Sequence, residues 1–164
     1  AELVLGTLVK RLNESANNIN FETRATQAGR NPYEVLTVAS LLEGEVIPED
    51  FAKVAAVVYN RLKADMPLQL DSTVSYALGL NELELSATQL DTDSPYNTYK
   101  VSGLPPTPIN SPGEAALEAA LSPAKGKWLY FVTVNPDTGE TKFAKTYERF
   151  LKLKDEYRDF LASR

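Results

Sequence analysis

The chain has no cysteine and no histidine among its 164 residues. Without them it cannot build a Ser-His-Asp or Cys-His nucleophile, or a zinc site made from Cys or His ligands. It also forms no disulfide, so cysteine usage says nothing about its redox compartment. Any acid–base chemistry falls to Asp, Glu, Lys or Tyr. Long hydrophobic runs are missing too. No stretch approaches the roughly 20 apolar residues that a membrane-spanning helix requires, and nothing has the layout of a signal peptide. Nor is there a surplus of positive charge. The net charge is −5, made of −8 over residues 1–124 and +3 over residues 125–164. An acidic body argues against nucleic acid as a partner, because phosphate binding needs a basic footprint. The basic tail reads as a solvated helix face.

What is present is ordinary for a globular protein: 43% hydrophobic and 24% charged residues. The length suits one domain, residues 1–164, with a real core. The chain begins at Ala1, without Met, and is apolar at once (AELVLGTLV). That start suggests a mature form or a trimmed fragment, so the lack of a targeting segment carries little weight.

Periodicity predicts an α-rich α+β fold, mainly helical, with a C-terminal β-hairpin. Residues 3–19 repeat Leu5, Leu8, Leu12, Ala16 and Ile19 at helical spacing. A polar stretch follows to Arg30. Asn31, Pro32 and Glu34 then make a box-like helix start, and Pro48 bars continuation, so a helix is expected over about 32–45. A second begins after Pro48, with Phe51, Val54, Ala55, Val58 and Leu62 as its stripe. Asp71 reads as the cap of a short helix ending at Gly79, and Ser86 as the cap of another turn. Ser111-Pro112-Gly113-Glu114 matches cap, first-turn Pro and capping-box Glu for a helix that stops at Pro123. WLYFVTV (128–134) is a strong strand, NPDTG a turn and ETKFAK a returning strand. Residues 146–163 form a final amphipathic helix.

Residues 94–113, SPYNTYKVSGLPPTPINSPG, contain half of the chain's ten prolines. A long loop in a compact domain is usually functional or disordered. Tyr96, Tyr99, Val101, Leu104 and Ile109 supply apolar anchors that a solvated linker would not need. An ordered loop that lines something is therefore expected. DTDS (91–94) faintly resembles a calcium loop but lacks the Gly and the terminal Glu, so no metal and no cofactor are expected.

Two acidic residues stand out. On a helical wheel for 32–45, apolar residues cover well over half the circumference. Glu43 falls between Ala39 and Leu36, and Glu45 between Val38 and Leu41. Apolar surroundings disfavour the charged form and raise a carboxyl pKa, which equips it to protonate a leaving oxygen. A structural glutamate, paired or capping backbone, is the alternative. The wheel does not choose between Glu43 and Glu45.

Four stretches then occur in a familiar order: ASLLEGE (39–45), VVYNRLKADMPLQLDSTVSYALG (57–79), the loop 94–113, and WLYFVTV (128–134). Together, over about residues 35–150, they closely resemble the endolytic murein transglycosylase family, also called YceG-like or MltG. The resemblance implies cleavage of the β-1,4 bond between N-acetylmuramic acid and N-acetylglucosamine within peptidoglycan glycan strands, leaving a 1,6-anhydro-muramyl end. It implies that Glu43, the first Glu of A-S-x-x-E-x-E, is the catalytic acid and base. It also implies work beside peptidoglycan synthases at the extracytoplasmic face of a bacterial membrane. The family's N-terminal membrane helix and LysM-like region are not present here, so the expectation is an isolated catalytic domain. Many members carry His in and just after the second hairpin strand, where this chain reads GETKFAK and TYERF.

Such a lyase can manage with one carboxylate, because the substrate's own C6 hydroxyl attacks the anomeric carbon; a hydrolase normally needs two. Gln69, Asp71 and Thr73 are candidate contacts to sugar hydroxyls and acetamido groups. Tyr96, Asn97, Thr98 and Tyr99 are candidate groove-lining residues. Asn60 and Arg61 read as structural pairing groups. Two rival functions are a silent glycan- or synthase-binding module, and a hydrolytic muramidase with Glu45 or Asp71 as second carboxylate.

Overall fold

The computed structural model describes residues 2–80 and 85–163. Its first helices are α1 (Glu2–Asn18), α2 (Phe21–Gln27), α3 (Pro32–Glu45), α4 (Phe51–Lys63) and α5 (Asp71–Leu78). They are followed by α6 (Ala87–Leu90), α7 (Glu114–Leu121), the strands β1 (Tyr130–Asn135) and β2 (Glu140–Ala144), and α8 (Tyr147–Ala162).

Helix α3 is the axis of the main core. Asn31 caps it by accepting from the Tyr33 N–H at 2.8 Å, and Pro32 fills the first turn, where its missing N–H costs nothing. Val35, Val38, Ala39, Leu41 and Leu42 are all fully buried. They pack against Val54, Ala55 and Val58 of α4 and against Ala116, Leu117 and Ala120 of α7. Pro48 ends α3 as expected, but residues 48–50 form a tight 3₁₀ turn, and α4 starts at Phe51. The polar stretch 20–30 contains a helix that the pattern did not reveal: α2 buries only Phe21 and Ala25, too little for a periodic signal. In α1, Leu12 and Ala16 reach the core and Ile19 lies just past its end, whereas Leu5 and Leu8 are exposed.

A satellite core sits under the hairpin. β1 and β2 pair antiparallel, with a bulge between Thr133 and Asn135. The first strand begins at Tyr130, two residues later than expected. Val134, Ala144 and Leu153 of α8 are buried together, with Tyr130 and Phe150 stacked at 5.1 Å. Arg61, at the end of α4, joins the two cores. Its guanidinium donates to the carbonyls of Leu129 (2.6 Å), Pro67 (3.2 Å) and Leu68 (2.6 Å) and lies over the Tyr130 ring. Asn60 donates to the Gly126 and Trp128 carbonyls. Both residues have the structural pairing role expected of them.

The Pro-rich loop is ordered and fastened along its length. The Tyr33 hydroxyl donates to the Pro106 carbonyl at 3.5 Å. The Ile109 N–H donates to Ser40 Oγ at 3.0 Å, and Asn110 Nδ2 to the Ser40 carbonyl at 3.1 Å. The loop thus runs alongside α3 in the same direction. Ile109 is buried and Leu104 packs on the core, but Val101 is exposed and anchors nothing. Among the described residues, no helix is long and apolar enough to cross a membrane.

Candidate active site

The last turn of α3, Glu43-Gly44-Glu45, is where three segments meet. Glu43 is solvent-exposed, and its Oε1 accepts the Gly113 N–H at 2.7 Å. Glu45 is half-buried, and its Oε1 accepts the Ser72 N–H at 3.1 Å. Each glutamate therefore serves the N-terminus of another helix. The N-cap residue of α7 is Gly113 and that of α5 is Leu70, and neither supplies a side-chain cap. An orphan N–H at a helix start has to be satisfied from somewhere, and here α3 contributes to both. This corrects two expectations. Asp71 is not the cap of α5 but its first residue, and Ser111 does not cap α7.

Gly44 allows this meeting. A Cβ at that position would lie 2.9 Å from Ser72 Cβ and 3.0 Å from Asn110 Nδ2. Only glycine lets α5 and the loop approach α3 this closely. Gly113 is also tight, since a Cβ there would sit 3.3 Å from Glu43 Oε1.

Burial separates the two glutamates. Burial pushes the Glu45 carboxyl up to about 7. Contact with Ser72 opposes the rise, and Asp71 and Arg61 act in opposite senses with smaller weight. The apolar surroundings read from the wheel thus act on Glu45. The wheel placed Glu43 among apolar residues as well, but it counts neighbours on one helix and not what covers them. Glu43 lies where α7, the covering helix, only begins. Beside Glu45, the Tyr99 hydroxyl donates to Asp71 Oδ1, and burial followed by this bond raises the Tyr99 pKa.

The candidate binding residues divide into two groups. Asn97, Thr98 and Thr73 are buried and fully engaged. Asn97 Nδ2 donates to the carbonyls of Leu90 (3.0 Å) and Thr92 (2.8 Å), and its Oδ1 accepts the Tyr99 N–H at 3.0 Å. Thr98 Oγ1 accepts the Leu70 N–H at 3.0 Å and bonds Thr73 Oγ1 at 2.9 Å. Thr73 in turn donates to the Leu70 carbonyl at 2.7 Å, so Thr98 donates to Thr73. These three side chains shape the loop and are turned away from solvent, unlike the groove-lining face expected of Asn97 and Thr98 and the sugar contact expected of Thr73. Gln69, Asp71, Tyr96 and Tyr99 keep accessible surface. Gln69 has φ +50, a left-handed conformation costly for a non-glycine residue, held by its N–H to the Thr98 carbonyl at 3.0 Å. The Tyr96 hydroxyl bonds Thr107 Oγ1 at 2.8 Å.

Sequence reasoning did not find Gly113, Ser72 and Asn110. Their roles lie in backbone N–H groups and close approach, which leave no local signature. Among the described residues, no three His, Cys, Asp or Glu side chains converge as metal ligands would.

The chain has relatives among known proteins. A family model described as the YceG-like family matches residues 1–156. A Bacillus subtilis (strain 168) protein named endolytic murein transglycosylase is 40% identical over 157 residues, covering 95% of this chain and 42% of that protein. A Streptococcus pneumoniae (strain D39) protein of the same name is 41% identical over 121 residues, 70% of this chain and 22% of that one. The chain thus spans less than half the length of these relatives. A crystal structure of a YceG-like protein from Listeria monocytogenes superposes with a TM-score of 0.78 at 42% identity, covering 84% of this chain and 45% of that one. With its ordered motifs, its loop and its glutamate pair in place, the chain belongs to the YceG-like family.

Proposed function

We propose that this chain is the catalytic part of an endolytic peptidoglycan lytic transglycosylase. It cleaves the N-acetylmuramic acid–β-1,4–N-acetylglucosamine bond within glycan strands and leaves a 1,6-anhydro-muramyl end. Its relatives are named for murein transglycosylation. The observation that carries the reading is Glu43: an exposed carboxylate at a helix end, with one oxygen fixed by the Gly113 N–H. The fixed oxygen orients the group, and the other oxygen carries the proton. Glu43 protonates the glycosidic oxygen as the C1–O4 bond breaks. It then takes the proton of the muramyl C6 hydroxyl as that oxygen closes on C1, so proton and electrons balance without water. Gln69, Asp71, Tyr96 and Tyr99 are the groups placed to hold the glycan, and the strained Gln69 backbone supports a binding role there. This chemistry would take place outside the cytoplasmic membrane, beside the synthases that make the strands.

One observation favours a second reading. Glu45 is the carboxyl held near pH 7, the range suited to a general acid. Mass spectrometry of purified peptidoglycan incubated with wild type, Glu43→Gln and Glu45→Gln separates the two. Anhydro-ended fragments from wild type and Glu45→Gln, but not from Glu43→Gln, are the expected result. Loss only in Glu45→Gln moves the acid to that residue. Reducing ends in place of anhydro ends make the enzyme a hydrolase, and no products from wild type leave a binding module.

A further inference from the structure

An exposed tyrosine on a rigid element offers an apolar ring face with a polar tip, a combination suited to surface contacts. Tyr76 on α5 is such a residue, with 46% of its surface accessible. Its ring meets the Tyr96 ring at 4.9 Å between centroids, tilted by 53°. Tyr96 is held from behind, packed on the main core and tied through its hydroxyl to Thr107. Tyr76 is four residues beyond Ser72, on the same face of α5. Ser72 abuts Gly44, between the two glutamates. Tyr76 therefore lies about 6 Å of helical rise along α5 from Ser72, the residue that touches the Glu43-Gly44-Glu45 turn. That is the scale of one sugar ring. Among the described residues, nothing bonds the Tyr76 hydroxyl.

We propose that Tyr76, braced by Tyr96 and Thr107, is a stacking platform for one N-acetylhexosamine ring of a β-1,4-linked glycan, beside the ring that Glu43 acts on. This rests on the glycan-cleaving reading above. A β-1,4-linked hexosamine carries its polar substituents at the rim and presents C–H faces above and below, which an exposed phenol ring covers. The free hydroxyl then meets a rim group. The Tyr76–Tyr96 pair fixes the ring before the glycan arrives, so little side-chain freedom is lost on binding.

The test uses the whole chain in a Glu43→Gln background, so that no turnover occurs. Sedimentation with insoluble peptidoglycan and calorimetry with chitohexaose report affinity. Tyr76→Ala should weaken both roughly three- to tenfold, the range of one aromatic contact, while Tyr76→Trp retains binding. In the active background, Tyr76→Ala should raise the half-saturating glycan concentration and leave the saturated rate unchanged, an outcome that a structural role would not give. Tyr76→Ala binding within twofold of its parent, at unchanged melting temperature, overturns the platform. Failure of the parent to bind either glycan overturns it as well. Anhydro ends without this binding contrast leave the lyase reading standing and remove the platform. The contrast without anhydro ends keeps the platform and removes the lyase.

Discussion

Replacing Glu45 by glutamine should alter stability in a narrow pH window, and by a readable amount. The folded carboxyl titrates near 7, while the unfolded one has the ordinary value of 4.5. Below 4.5 both states hold the proton, and the group makes no difference. Between 4.5 and 7 the unfolded state releases its proton and the folded state keeps it, so folding stability falls as pH rises. Above 7 the loss is complete. At about 1.4 kcal/mol per pH unit, the rise from 4.5 to about 7 amounts to roughly 3 kcal/mol, an upper figure for a half-buried group. Glutamine has no proton to release, and its amide oxygen can still accept the Ser72 N–H. The variant should therefore lack this slope, and its stability relative to wild type should improve progressively from pH 5 to pH 8. The sequence makes the measurement clean. With no histidine, no side chain of ordinary pKa titrates between pH 5 and 8. The terminal amine is common to both proteins and cancels in the difference. Glu118 and Glu156 are held below the usual carboxylate range by Arg24 and Lys142, so their effects fall at lower pH. Urea unfolding of both proteins at half-unit steps gives the difference curve. A flat difference would refute the claim that α3 buries this carboxyl against α5.

Asn97→Ala removes three hydrogen bonds from a buried site and leaves two carbonyls and one N–H unmet, which should cost about 2–4 kcal/mol; faster proteolysis near residues 90–100 would register the loosened loop. Gly44→Ala forces α5 and Asn110 away from α3 and should cost about 1–3 kcal/mol in urea melts. Gly113→Ala, whose φ of −79 suits any residue, should leave stability within about 1 kcal/mol but lower the saturated rate by crowding Glu43 Oε1.

The parts of the fold that were legible in the sequence rest on local chemistry. Asn31-Pro32 starts α3 and Pro48 stops it, because capping and the missing proline N–H act within a few residues. The hairpin was legible because the turn 135–139 separates two β-rich runs, with Gly139 at φ +74. Helix α2 was not legible, because its two buried residues make no repeat. The capping of α5 and α7 was misread for a related reason. Asp71 and Ser111 are good local caps, but Glu45 and Glu43 reach those helices from 27 and 70 residues away. The same holds for the loop. Its composition announced order, yet it did not reveal that Asn97 and Thr98 turn inward while Tyr96 and Tyr99 keep a face to solvent. Burial of a polar side chain depends on its partners, and those partners are carbonyls scattered over several segments.

The bond between Glu43 and Gly113 has a consequence for when the protein becomes competent. Its partners are 70 residues apart, and the intervening chain includes α4, α5 and the Pro-rich loop. Closing so long a loop loses chain entropy before any contact compensates, so such contacts form late in folding. Helices α3 and α4 can pair early, while Glu43 still swings without its anchor. A newly made chain would thus hold the Glu43 carboxylate long before its partner N–H is in place, and the mature geometry would arrive only with the docking of α7.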